Sequence, residues 1–139
     1  MQTHGTLSVE LPAGWNDATM VSFHEPPSGE FTHSLTIARE ALAQGLSLEA
    51  YTETQLAELG RELSQFEVVR RTRLRFRSGE GPRTETRWRG LDGRLLLQVQ
   101  YFIPGRGEVI VVTGTASEET FVQYLPLFDR VAGSVRTAG

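Results

Sequence analysis

The chain has 139 residues, enough for one domain that buries most of its apolar surface without staples. An apolar fraction of 39% and a charged fraction of 22% are ordinary for a folded protein, and a net charge of −3 argues against a nucleic-acid binder, which would carry a basic excess. Cysteine is absent, which excludes disulfides, thiolate catalysis and Cys-based zinc or iron–sulfur sites.

Met1 to Thr6 is polar, with neither the basic start nor the apolar stretch of a signal peptide. With Met1 as the native start, a cytoplasmic protein is expected. The longest apolar runs are a few residues, so no segment is expected to span a bilayer. Thr6-Leu7-Ser8-Val9-Glu10-Leu11 alternates as a strand and ends at the turn cluster Pro12-Ala13-Gly14-Trp15. Thr19 to His24 and Ser34 to Arg39 read as the next two strands, separated by a loop carrying Pro26, Pro27 and Gly29.

Ser47 stands at the N-cap of the clearest helix, with Glu49 in its first turn. Leu48, Tyr51, Leu56, Leu59, Leu63 and Phe66 recur at helical spacing, and the helix is expected to end near Ser64. Gln55 lies beside that stripe, one turn from both Tyr51 and Leu59. Its ordinary reading is a half-exposed boundary residue; its functional reading is an amide at a groove rim.

Four strands follow: Glu67–Phe76, Arg83–Arg89, Arg94–Ile103 and Glu108–Thr115. The short turns Leu91-Asp92-Gly93 and Pro104-Gly105-Arg106-Gly107 make the last three an antiparallel meander. In the first of the four, Arg71, Arg73, Arg75 and Arg77 share one face, the pattern of a solvated edge strand protected by charge. A second helix is expected from Glu118 to Phe128, extending toward Val135, with Pro126 either kinking it or splitting off a final helix. The whole reads as one α+β domain over residues 1–139, an antiparallel sheet with helices packed on one face and an open concave face opposite.

The strand Arg94–Ile103 tells most about function. One face carries Leu95, Leu97, Val99, Tyr101 and Ile103; the other carries Leu96, Gln98, Gln100 and Phe102. A solvated face more usually carries Lys, Glu or Arg. Amides among apolar side chains suit a surface that meets something greasy with hydrogen-bonding needs of its own. Ser34 and Thr36 alternate with Leu35 and Ile37 in the same way, and Met20 and Ser22 join them from the neighbouring strand. Seven residues therefore form the expected partner-binding groove: Met20, Ser22, Ser34, Thr36, Gln55, Gln98 and Gln100.

Catalytic signals are weak by comparison. His4, His24 and His33 have no metal-ligand spacing, and loop histidines are the plainer reading. Glu118-Glu119 already has a reason to exist at a helix N-terminus. Gly79-Glu80-Gly81 and Gly105-Arg106-Gly107 lack the Lys-Ser/Thr of a phosphate loop and read as hairpin turns. No G-x-S-x-G nucleophile elbow occurs. Neither an enzymatic activity nor a cofactor is expected.

The order Leu11-Pro12-Ala13-Gly14-Trp15, then Ile37-Ala38-Arg39-Glu40, Leu48-Glu49-Ala50-Tyr51 and Gln55-Leu56, resembles the DcrB-like family. Trp88 before a Gly turn, Gln98-Val99-Gln100-Tyr101-Phe102, Val112-Thr113-Gly114-Thr115-Ala116 and the Phe121 helix continue the resemblance over nearly the whole chain. It implies a PsbP-like α+β fold. Lacking a lipobox cysteine, the chain looks more like the cytoplasmic branch, the Eag-type chaperones of type VI secretion. That branch implies a homodimer that shields the apolar N-terminal segments of a Rhs- or PAAR-type effector, without nucleic acid and without stable membrane association. Gln55, Gln98 or Gln100, and a Ser or Thr of the Ser34–Arg39 strand match its polar groove residues by position. A small-molecule or lipid-binding module of the same fold is the alternative, distinguished by a closed pocket too small for a helix.

Overall fold

A computed structural model describes residues 20–24 and 33–136. Its strands are β1 (Met20–His24), β2 (Ser34–Ala41), β3 (Ser64–Phe76), β4 (Gly79–Arg89), β5 (Leu95–Pro104) and β6 (Glu108–Ser117). Helix α1 (Leu48–Glu62) lies between β2 and β3, and α2 (Phe121–Gly133) follows β6. The expected strand at Thr6–Leu11 and the turn at Pro12–Trp15 lie outside the described residues. The strands form one antiparallel sheet in the order β1-β2-β6-β5-β4-β3. The expected meander is present and includes β3.

Local chemistry explains most boundaries. The Ser47 hydroxyl accepts the Ala50 amide at 3.0 Å and caps α1. Strand β4 starts earlier than the sequence reading allowed, because β3 and β4 turn at Arg77-Ser78 and pair from Phe76–Gly79 onward. Gly79-Glu80-Gly81 is therefore strand, and the hairpin-turn reading of those glycines is corrected. Gly81 fits because a Cβ there would run into the Phe102 carbonyl. Pro82, which has no N–H to give, precedes the first β4–β5 pair at Arg83–Tyr101. Helix α2 opens at Phe121 rather than Glu118, and it runs through Pro126 without splitting.

Antiparallel partners share a face, so the registers sort the paired strand residues. Leu97, Val99, Tyr101 and Ile103 of β5 share a face with Ile110, Val112 and Ala116 of β6 and with Leu35 and Ile37 of β2. Helix α2 covers this face with Phe121, Phe128 and Ala132. The Phe128 ring rests on the bare backbone of Gly114, where a Cβ would stand 2.5 Å from the ring. The Tyr101 hydroxyl donates to Asp129 of α2, and burial followed by that carboxylate raises its pKa.

Helix α1 lies on the opposite face. Its Tyr51 packs edge-to-face on Phe102, ring centroids 6.2 Å apart, in a small second core with Val109, Val111, Leu42 and Leu48. The α+β class and the open antiparallel sheet hold, but the placement of both helices on one face does not. Phe102, Val109 and Val111 share the amide face and need apolar cover, which α1 supplies.

Gly114→Val should destabilise the protein by about 3 kcal/mol, because the added side chain displaces Phe128 from a packed core. Urea unfolding monitored by circular dichroism measures this. An unchanged midpoint would mean that α2 does not sit on β6 in this way.

Candidate functional site

The face that carries α1 also carries most of the uncharged polar side chains of the sheet. The registers arrange them in two rows across the strands. Thr84 of β4 stands opposite Gln100 of β5, Gln100 opposite Thr113 of β6, Thr113 opposite Thr36 of β2, and Thr36 opposite Ser22 of β1. One step along, Thr86, Gln98, Thr115 and Ser34 line up in the same manner. Mostly apolar rows flank the band: Phe102, Val111 and Ala38 on one side, Trp88, Leu96 and Ser117 on the other. No formal charge stands within these two rows of β2, β4, β5 and β6.

Helix α1 runs along β3 and β4 and covers one end of the band. Leu48 lies near Gly81 at its start, and Gly60 lies against Phe66 at its end. Arg73 and Arg71 of β3 pair with Glu49 and Glu53 of α1. The Arg73 guanidinium, hydrogen-bonded to Glu49, holds that carboxyl below its ordinary pKa. On the other side of the helix the Tyr51 hydroxyl donates to Glu40 of β2. Burial, reinforced by Glu40, raises the Tyr51 pKa. Gln55 follows Tyr51 by one turn on that side and is half-buried.

Toward β6, β2 and β1 the band is more open. Ser34, Thr36, Thr113, Thr115 and Gln98 are half-buried, and Ser22 is exposed. Under α1 it is closed: Thr84 and Thr86 are fully buried and Gln100 is 8% exposed. The Gln100 amide nitrogen donates to Thr113 Oγ1 at 3.2 Å. Four buried oxygens have no partner, namely Thr84 Oγ1, Thr86 Oγ1, Gln98 Oε1 and Gln100 Oε1. They form two cross-strand pairs on adjacent strands, Thr84 with Gln100 and Thr86 with Gln98.

The seven expected groove residues thus fall as follows. Ser22, Ser34, Thr36, Gln98 and Gln100 share the face, Gln55 flanks it from α1, and Met20 pairs with Ala38 of that face by register. Thr84, Thr86, Thr113 and Thr115 belong to the same rows and were missed. Their signal was present as Thr84-Glu85-Thr86 and Thr113-Gly114-Thr115, alternating in step with the amides. Among the described residues no group of three or more His, Asp or Glu side chains could hold a metal ion, and no helix is long and apolar enough to cross a membrane. His33 stacks on Tyr124 at 3.6 Å and hydrogen-bonds Thr120 at 2.6 Å, tying the start of β2 to α2.

This fold and its matching sequence define the class: the chain belongs to the DcrB family, whose model matches residues 6–123. A protein of unknown function, PA94 from Pseudomonas aeruginosa, suggested to be a regulator, has a similar structure. It is 23% identical with a TM-score of 0.80, over 94% of this chain and 91% of that one. The cyanobacterial PsbP protein CyanoP of Synechocystis is 14% identical with a TM-score of 0.55, over 83% and 79% of the two chains. LpqN of Mycobacterium tuberculosis, involved in cell envelope biogenesis, is 11% identical with a TM-score of 0.54, over 88% and 85%. At these identities the likeness is one of fold, and it establishes the PsbP-like architecture. No protein of curated function matches the sequence.

Thr86→Val removes a buried hydroxyl that has no partner and keeps its shape. It should raise stability by about 1 kcal/mol, since an unsatisfied buried polar group costs roughly that or more. Urea titration reads the change. A loss of stability would show that the hydroxyl is paired in solution.

Proposed function

We propose that this protein is a non-enzymatic chaperone that binds and shields the apolar N-terminal helices of a type VI secretion effector, of Rhs or PAAR type, in the cytoplasm before export. It acts as a homodimer. The observation that carries this reading is the uncharged band of hydroxyls and amides between two mostly apolar rows.

A transmembrane helix in water exposes a large apolar surface, and its burial is favourable by about 25 cal/mol per Å². Such helices satisfy their own backbone and carry Ser, Thr, Asn or Gln where they pack on one another. A floor of Gln98, Thr113, Thr115, Ser34 and Thr36 offers donors and acceptors to those side chains, and its flanking rows offer cover. A fully apolar groove would bind grease without discrimination. A charged one would have to be desolvated. The band does neither.

A second reading rests on the four unpartnered oxygens of Thr84, Thr86, Gln98 and Gln100. A small polar molecule or lipid headgroup lodged there would satisfy them without any helix in the groove.

Gln98→Arg and Thr36→Arg place a cation on the floor that the partner must desolvate, at a cost of several kcal/mol. Each should weaken binding of a co-expressed effector N-terminal segment by more than about 100-fold, the equivalent of ~3 kcal/mol. Far-UV circular dichroism should stay unchanged. Pull-down and light scattering measure the complex. Retained binding in both variants would refute the groove, and co-purification of a small molecule with the chain alone would favour the second reading.

A further inference from the structure

The outer edge of the sheet carries a feature that the groove does not use. Strand β3 is the last in the order, so one side of its backbone meets no other strand among the described residues. Its beginning is irregular: Gln65 has φ +56°, and register shifts fall between Ser64 and Glu67 and between Val68 and Arg70. Bulges of this kind blunt an edge. From Arg70 to Phe76 the pairing with β4 is uninterrupted, and that half of the edge is left regular.

The regular half has two unlike faces. Arg71, Arg73 and Arg75 stand on the α1 side, while Thr72, Leu74 and Phe76 stand on the α2 side. Leu74 is 37% exposed. Arg75 has no ion-pair partner among the described residues, and the carboxylates that hold Arg71 and Arg73 are themselves more than half exposed. Water and a competing anion reach both pairs.

We propose that the β3 edge from Arg70 to Phe76 is a docking edge for an extended partner segment in which acidic and apolar residues alternate. Strand addition would satisfy the outward backbone N–H and C=O groups and supply affinity. The two-residue period then gives recognition: carboxylates meet the arginines on one face, and apolar side chains meet Leu74 on the other. A second copy of this chain is a poor occupant, because an antiparallel β3–β3 pair sets arginine against arginine. This inference does not rest on the groove reading.

The test uses a capped peptide of alternating Glu and Val, its Lys–Val counterpart, and a block peptide with four Glu followed by four Val. Fluorescence polarisation gives binding, and hydrogen–deuterium exchange of the full chain gives location. The alternating Glu–Val peptide should bind, slow exchange at Arg70–Phe76, and lose at least tenfold in affinity between low and 0.5 M salt. The Lys–Val peptide should not bind, and the block peptide should bind at least tenfold more weakly. Arg75→Glu, on an exposed side chain, should reduce binding at least tenfold with an unchanged circular dichroism spectrum. Gln98→Arg should leave this binding intact, which separates its outcome from that of the groove. Equal binding of the alternating and block peptides, protection elsewhere, or no binding at millimolar peptide would overturn the proposal.

Discussion

Strand β5 is buried on both faces, and the rest of the structure is arranged around that constraint. Val99, Tyr101 and Ile103 reach full burial on one side, and Phe102 does so on the other. A strand with two dry faces needs cover from two directions. Helix α2 supplies one cover, held by Phe128 on Gly114 and by Asp129 beneath the Tyr101 hydroxyl. Helix α1 supplies the other only in part. It covers Phe102 and the threonines of β4 and leaves the β6–β2 side of the same face open.

That partial cover determines the character of the candidate site. Where α1 lies, polar groups have lost water without gaining partners, and such groups lower stability. Where α1 ends, the same kinds of side chain continue half-buried across β6 and β2. A fold selected for stability alone would place apolar residues at Thr84, Thr86 and Gln100. Their retention is accounted for if the band is kept polar for recognition, with stability made up on the α2 side of the sheet.

Much of this was legible in the chain. Period-two alternation in β5 and β2 was enough to place Gln98, Gln100, Ser34 and Thr36 on one face, because parity depends on the sequence of a single strand. The Ser47 cap and the arginine-rich edge were readable for the same reason, each being local. What the sequence did not reveal depends on distant pairing. Ser34 and Thr36 meet Thr115 and Thr113 only because β2 pairs with β6, residues some eighty positions apart in the chain. The face chosen by α1 was equally hidden, since a helical stripe of Leu48, Tyr51 and Leu56 does not say which side of a sheet it will cover. Phe102, alone at the end of the amide face, was the available clue. At β4 the Gly-Glu-Gly-Pro run concealed the start of the strand, because breakers there coincide with the place where pairing to β5 ends.

The central claim is that the uncharged band receives an apolar helix. It is tested most directly by the side-chain amide signals of Gln98 and Gln100 in a nitrogen-15 spectrum of the protein, recorded with and without a detergent-dispersed transmembrane peptide bearing Ser and Thr. Both amide pairs should move and sharpen in the presence of the peptide, together with the backbone of Thr113 and Thr115. If those signals stay in place while residues of α2 respond, the helix binds elsewhere and the band is not the site.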